Sequence, residues 1–119
     1  MGQVSPRTLG AEEEFHLVDL KTRRLTARAP ELLAQLTGDY VAELQRCVVE
    51  TNTRVVDSLE ALLNELVRHR RILGETAAEL GMGVVAAGAV PLAVPAEMRV
   101  TKTPRYRQML ADYQLLARE

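Results

Sequence analysis

The sequence predicts an α+β fold, a mostly antiparallel sheet with helices packed on one face. Three observations lead there. Thr8 to Leu20 alternates apolar and polar residues with the period of a strand. A polar turn follows it at once, the mark of an antiparallel return. Leu59 to Leu80 then changes to helical spacing, so strands mix a hairpin with helical crossovers.

The elements follow in order. On the first strand Leu9, Ala11, Phe15 and Leu17 share one face; Thr8, Gly10, Glu12, Glu14, His16 and Val18 share the other. Asp19 to Arg23 reads as a hairpin connection, with Arg24 to Ala29 returning antiparallel. Pro30 suits a first helical turn, so Glu31 to Leu36 is a short helix ended by Gly38. Tyr40 to Val56 is rich in Val and Thr and reads as one extended strand. Asp57 is the expected cap of the long helix, with Glu60 completing a capping box. Leu59, Leu62, Leu63, Leu66, Ile72 and Leu73 form its apolar stripe, and Gly81 suits its end. Val84 to Gly88 is a short strand, and Pro91, Pro95 and Pro104 punctuate a loop. Arg105 to Glu119 is a second amphipathic helix, with Tyr106, Met109, Leu110, Tyr113 and Leu116 near one stripe. It runs to the last residue without a terminator, as if cut inside an element.

A length of 119 residues suits a single domain, 1–119. With 47% hydrophobic but only 3% aromatic residues, the core has to be built from Leu, Val and Ala. Fifteen basic and sixteen acidic residues leave a net charge of −1, no basis for binding nucleic acid or an anionic membrane. Cys47 is the single cysteine, so no internal disulfide forms, and a reducing, cytoplasmic setting is the simplest expectation. Residues 1–10 lack the basic start and apolar run of a signal peptide. No apolar stretch reaches the roughly 18–20 residues of a membrane span.

The residues with chemical potential are few. Glu12 and Glu14 project to the same side of a strand, roughly 7 Å apart. Held at that spacing, two carboxylates repel unless a cation or base lies between them, and hard oxygen ligands suit magnesium. The competing interpretation is a solvated sheet face. Glu13 points the other way and needs a basic partner or an edge. Glu50 lies in an otherwise apolar, β-branched strand, where an acid is costly unless paired, metal-bound or at a wet edge. His16 shares the face of Glu12 and Glu14, as a hydrogen-bonding residue rather than a ligand. His69 sits in Val67-Arg68-His69-Arg70-Arg71, read as a solvated helix face. Cys47 reads as a small buried hydrophobe. Arg105, at a loop–helix junction, could clamp a carboxylate or phosphate through its planar fork, or be a plain surface charge. No P-loop, dinucleotide fingerprint or zinc spacing is present.

Taken together, several segments resemble the glutamate–cysteine ligase-like family, in its bacterial carboxylate–amine ligase branch. They are Thr8-Leu9-Gly10-Ala11-Glu12-Glu13-Glu14-Phe15, Arg28-Ala29-Pro30-Glu31-Leu32-Leu33, and Ala42-Glu43-Leu44 leading to Val49-Glu50. Val85-Ala86-Ala87-Gly88, Thr103-Pro104-Arg105-Tyr106 and Asp112-Tyr113-Gln114-Leu115-Leu116-Ala117-Arg118 follow in order. The resemblance implies a partial glutamine-synthetase-like fold and the N-terminal portion of a ligase catalytic domain. It implies that ATP, with Mg2+, phosphorylates a carboxylate and that an amine attacks the acyl phosphate. It assigns Glu12, Glu14 and Glu50 to magnesium and places Arg105 near substrate or phosphates.

Two departures stand out. The family's Gly-Thr-His-Pro segment is Gly88-Ala89-Val90-Pro91 here, and Val90 can bind neither metal nor anion. Relatives also continue well beyond this chain. The expectation is therefore a ligase portion that acts on amino-acid substrates but is inactive by itself. Its partner is a complementary ligase segment or another copy in a homo-oligomer. The alternative is a non-catalytic, self-associating interaction module descended from such a ligase.

Overall fold

The computed structural model describes residues 7–90 and 93–113. Its architecture is α+β. Among these residues four strands form one antiparallel sheet: β1 (Glu12–Asp19), β2 (Tyr40–Ala42), β3 (Val48–Asn52) and β4 (Met82–Val85), in the order β2-β3-β1-β4. Three helices accompany it: α1 (Ala29–Leu33), α2 (Leu59–Glu79) and α3 (Pro104–Asp112).

The alternation of β1 decides the layers. Phe15 and Leu17 are buried, and they join Leu32 of α1, Val49 of β3, Leu73 and Ala77 of α2 and Met82 of β4 in one core. Glu12, Glu14 and His16 take the opposite face, as the period requires. Glu13 lies on the helix side, and its need for a base is met. Arg70 Nε of α2 donates to both Glu13 carboxylate oxygens at 3.0 and 3.1 Å, and Arg70 Nη2 joins them. The guanidinium also lies 6.0 Å from the Phe15 ring centroid, closing that end of the core.

Several elements differ from expectation. Tyr40–Val56 is two strands, because residues 43–47 turn the chain back so that Val41 faces Glu50 and Ala42 faces Val49. Folding back lets β2 use the open edge of β3 and buries Tyr40. Arg24–Ala29 does not become a strand. Only Leu25 bridges Val18, with backbone bonds from Asp19 N to Arg24 O (2.9 Å) and Thr26 N to Leu17 O (3.0 Å). Further back β1 is already paired, by β3 on one edge and β4 on the other. The turn is held by Asp19, whose carboxylate accepts the Lys21 and Thr22 amides at 2.8 Å; those bonds keep its pKa below the usual value. Arg23 sits in this turn at φ 60°, a left-handed conformation uncommon outside glycine.

The cap of α2 is Ser58 rather than Asp57: its hydroxyl accepts from Ala61 N at 3.1 Å, so Glu60 does not complete a box. Gly81, at φ 75°, lets the chain leave the helix directly into β4, which starts at Met82, two residues before the expected Val84. The buried stripe of α2 is also rotated from expectation. Glu65, His69, Leu73 and Ala77 face the sheet, whereas Leu59 and Leu63 are 76% and 59% exposed. Glu65 is tolerated because it is paired; His69 contacts charge through Nε2 but leaves Nδ1 without a hydrogen-bond partner. Glu65 accepts from Arg54 at 2.8 Å and from Arg68 at 3.3 Å. These bonds pull its pKa down to about 2. The His69 ring is fully buried, edge-on to Tyr40 at 5.3 Å between centroids, with Asp39 Oδ2 3.5 Å from Nε2. The reading of 67–71 as a solvated face is thus wrong at His69. Cys47 is buried, and burial pushes its thiol pKa up.

Helix α3 starts at Pro104, one residue before expectation, with Thr103 Oγ1 accepting from Tyr106 N at 3.3 Å, and it ends at Asp112, since Tyr113, expected inside it, leaves helical geometry at φ −126°, ψ 49°. The expected stretch 114–119, including Leu116, lies outside the described residues. Among those described, no helix is long and apolar enough to cross a membrane.

A candidate acid edge on the open sheet face

The face away from α1 and α2 collects carboxylates because of strand register. Glu14 of β1 is the Cα partner of Glu50 of β3, and Val41 of β2 is the partner of Glu50 on its other side. Glu43 follows Val41 by two residues and therefore returns to the same face. One carboxylate oxygen from each of Glu14, Glu43 and Glu50 lies within 4.8 Å of the others. Burial first, then the hydrogen bond and charge of Glu43 and the charge of Glu12, push the Glu50 pKa up to about 7; Asn52 partly offsets this.

The expected site residues are placed as follows. Glu14 and Glu50 lie in the triad. Glu12 is exposed opposite Asn52 and stands outside the triad, close enough for its charge to act on Glu50. Glu43, within the segment Ala42-Glu43-Leu44, is a third acid of the edge that local sequence pattern does not assign. Reading 40–56 as one straight strand concealed the turn that brings it to Glu50.

A second chain segment pins Glu43. The Thr101 hydroxyl donates to Glu43 O, and Thr101 N donates to Leu44 O at 2.8 Å. The chain then enters α3, whose Tyr106 hydroxyl donates to Ala42 O at 3.3 Å. Burial and the charges of Glu43 and Glu50 raise the Tyr106 pKa, while Arg105 opposes them. Arg105 is exposed, its Cζ 5.6 Å from the Tyr106 ring centroid, with no ion-pair partner among the described residues. Arg105 and the acids thus act on one hydroxyl, although 55 positions separate Arg105 from Glu50 in the chain.

One strand step from Glu14, His16 borders a cavity of about 410 Å³ whose other walls include Val18, Leu25, Val85 and Val90. His16 Nδ1 is buried without a hydrogen-bond partner. Chemically, the edge offers three clustered hard-oxygen donors, one exposed guanidinium and an adjoining apolar hollow.

A protein from Mycolicibacterium smegmatis named "Putative glutamate--cysteine ligase 2-2" is 70% identical over 115 residues, covering 97% of this chain and 29% of that protein. A Rhodococcus jostii protein named "Putative glutamate--cysteine ligase 2-3" is 66% identical over 115 residues, covering 96% and 14%. One from Bordetella parapertussis, "Putative glutamate--cysteine ligase 2", is 36% identical over 120 residues, covering 97% and 29%. The chain thus spans less than a third of the length of these curated relatives. No solved structure matches it. The family model of glutamate-cysteine ligase family 2 matches residues 8–119, and the chain belongs to that family.

Proposed function

We propose that the chain carries the acid edge of an ATP-dependent carboxylate–amine ligase. In this reading the γ-phosphoryl group of ATP passes to a substrate carboxylate oxygen, giving an acyl phosphate and ADP. The amine of a second substrate then attacks the acyl carbon. A C–N bond forms, the C–O bond to phosphate breaks, and phosphate and a proton leave. Glutamate and cysteine are the first substrates to try.

The observation that carries the reading is the meeting of Glu14, Glu43 and Glu50 within 4.8 Å. Three carboxylates at that spacing fit a hard divalent cation: burial first, and the neighbouring charges of Glu43 and Glu12 after it, raise the Glu50 pKa, and a bound cation offsets both. Mg2+ held by these residues would neutralise phosphate charge during transfer. Glu12 adds negative potential beside them. Arg105 supplies a fork for a carboxylate or phosphate, and Tyr106, tied to Ala42, sets where α3 presents it. A glutamine-synthetase-like arrangement and a cytoplasmic setting belong to the same proposal.

Mn2+ titration followed by electron paramagnetic resonance tests it. Binding by the wild type, weakened at least tenfold in Glu14→Gln, Glu43→Gln and Glu50→Gln, is expected. Equal binding by all four proteins would overturn it. A coupled ADP-release assay with glutamate and cysteine is expected to show no turnover by these 119 residues alone, since the relatives are far longer.

A second reading, self-association, is favoured by a different observation. Val55, Leu59, Leu63 and Val67 are each more than half exposed, and the last three recur every four residues along α2. Sedimentation velocity is expected to show a concentration-dependent dimer that Leu63→Lys abolishes; a monomer at all concentrations refutes it.

A further inference from the structure

The cavity beside His16 has a composition that the acid edge does not explain. Its walls are aliphatic: Val18, Leu25, Val85 and Val90, with small alanines between them. Its volume of about 410 Å³ falls within the range of small-molecule sites. Two arginines and one acid stand on its border, and they are not equivalent. Arg24 is paired with Glu97, so these two charges cancel. Arg23 has no ion-pair partner among the described residues, so one positive charge remains. Arg23 is also held at φ 60°, a strained conformation for a residue with a Cβ. The His16 ring contributes a buried Nδ1 without a partner, and buried polar groups are rarely left so.

An aliphatic hollow, one unpaired cation and one unmet ring nitrogen together suit a zwitterion with an apolar side chain, its carboxylate on the cation and its ammonium donating to the nitrogen. We infer that this cavity is an amino-acid site that takes an apolar L-α-amino acid. The ligand's side chain lies against Val18, Leu25, Val85 and Val90, and its carboxylate lies on Arg23. That the bound amino acid serves as the amine substrate rests on the ligase reading above. Val90 is then the specificity-determining residue, because an ionisable or strongly polar side chain would lose its hydration against it without compensation.

Position favours this ligand over a nucleobase. His16 follows Glu14 by two residues on the same face, about 7 Å along the strand. An amino acid in the cavity can bring its amine to a carbonyl carbon held at the acids. A nucleotide with its terminal phosphate there carries its base farther, beyond a ribose and two more phosphates. Among the described lining residues no aromatic ring other than His16 offers a stacking surface.

Methyl-resolved NMR of the 119-residue chain tests the inference, with L-leucine, L-leucinol, L-serine and adenosine as probes. L-Leucine is expected to shift the Leu25, Val85 and Val90 methyl signals saturably, and L-serine at equal concentration is not. Arg23→Gly should weaken L-leucine about tenfold, the size of one charge-assisted contact. The same variant should leave L-leucinol, which has no carboxylate, unchanged. Arg23→Gly keeps the fold, since glycine prefers that backbone conformation. Val90→Asp, also at a partly exposed position, should abolish L-leucine binding.

Silence of these methyls toward L-leucine would overturn the inference. So would equal affinity for L-leucinol, or a response to adenosine alone. Mn2+ titration of the same samples separates the two proposals. Mn2+ binding without L-leucine binding sinks the amino-acid site and spares the ligase reading. L-Leucine binding without Mn2+ binding does the reverse.

Discussion

Glu14 of β1 and Glu50 of β3 are direct cross-strand partners, two acids opposed on the sheet face that α1 and α2 leave open. Like charges directly opposite one another destabilise a sheet by up to about 1 kcal/mol. Such a pair is a structural cost unless something positive arrives.

That cost is measurable. In chelator at pH 8, above the raised Glu50 pKa of about 7, Glu50→Gln should stabilise the chain by about 1 kcal/mol, raising Tm by about 4 °C. With a divalent cation at a hundred times the wild-type Kd the order should invert, because the wild type gains about 2.7 kcal/mol and a variant binding tenfold more weakly gains about 1.4 kcal/mol. Thermal melts with and without Mn2+ check both halves.

Glu65 makes the opposite prediction about acid. Its folded pKa is drawn from 4.5 down to about 2, chiefly by the Arg54 bond. A carboxylate lowered on folding contributes stability above its unfolded pKa and loses it as pH falls through the folded value. Glu65→Gln should therefore lower Tm by several degrees at pH 7. The gap to wild type should begin to narrow near pH 4.5 and close near pH 2. Paired melts across that range would show a constant gap if the Arg54 and Arg68 bonds contribute nothing.

The Glu13–Arg70 pair ties β1 to α2 beside Phe15. Because the Arg70 side chain is 57% exposed, solvent screens it, and the coupling should be modest. A double-mutant cycle with Glu13→Gln and Arg70→Met is expected to give about 0.5–1 kcal/mol, diminishing in high salt. Zero coupling would reduce the pair to a surface coincidence.

Leu73 is fully buried where α2 meets the sheet. Leu73→Ala should cost about 3 kcal/mol through lost burial and a residual cavity. Leu63→Ala, on the exposed row of the same helix, should change stability by less than about 0.5 kcal/mol. Urea denaturation of the two variants compares them; equal losses would mean the helix is rotated from the described packing.

Much of this was legible locally. The two-residue alternation of Thr8–Leu20 put Phe15 and Leu17 inside and Glu12, Glu14 and His16 outside, because strand geometry alone sets that period. The same alternation showed that Glu13 would need a base. Which base could not be read, since Arg70 lies 57 positions away. Along α2 the apolar spacing points to the leucines, whereas the fold buries Glu65 and His69. Hydropathy ranks single residues, whereas burial of these two depends on Arg54, Arg68, Asp39 and Tyr40 arriving from elsewhere.

By itself, the sequence determined the layer of each side chain on β1, the presence of a long capped helix, and the family resemblance carried by its ordered segments. Those are properties of near neighbours and of order along the chain. Only the tertiary structure decided that 40–56 folds back on itself, so that Glu43 joins Glu14 and Glu50 and Glu12 stands aside. A strand's period says which face a residue takes; the pairing register says which residue it meets there. Register is fixed by turns and by long-range contacts, such as those of Thr101 with Glu43 and Leu44, that no local pattern records.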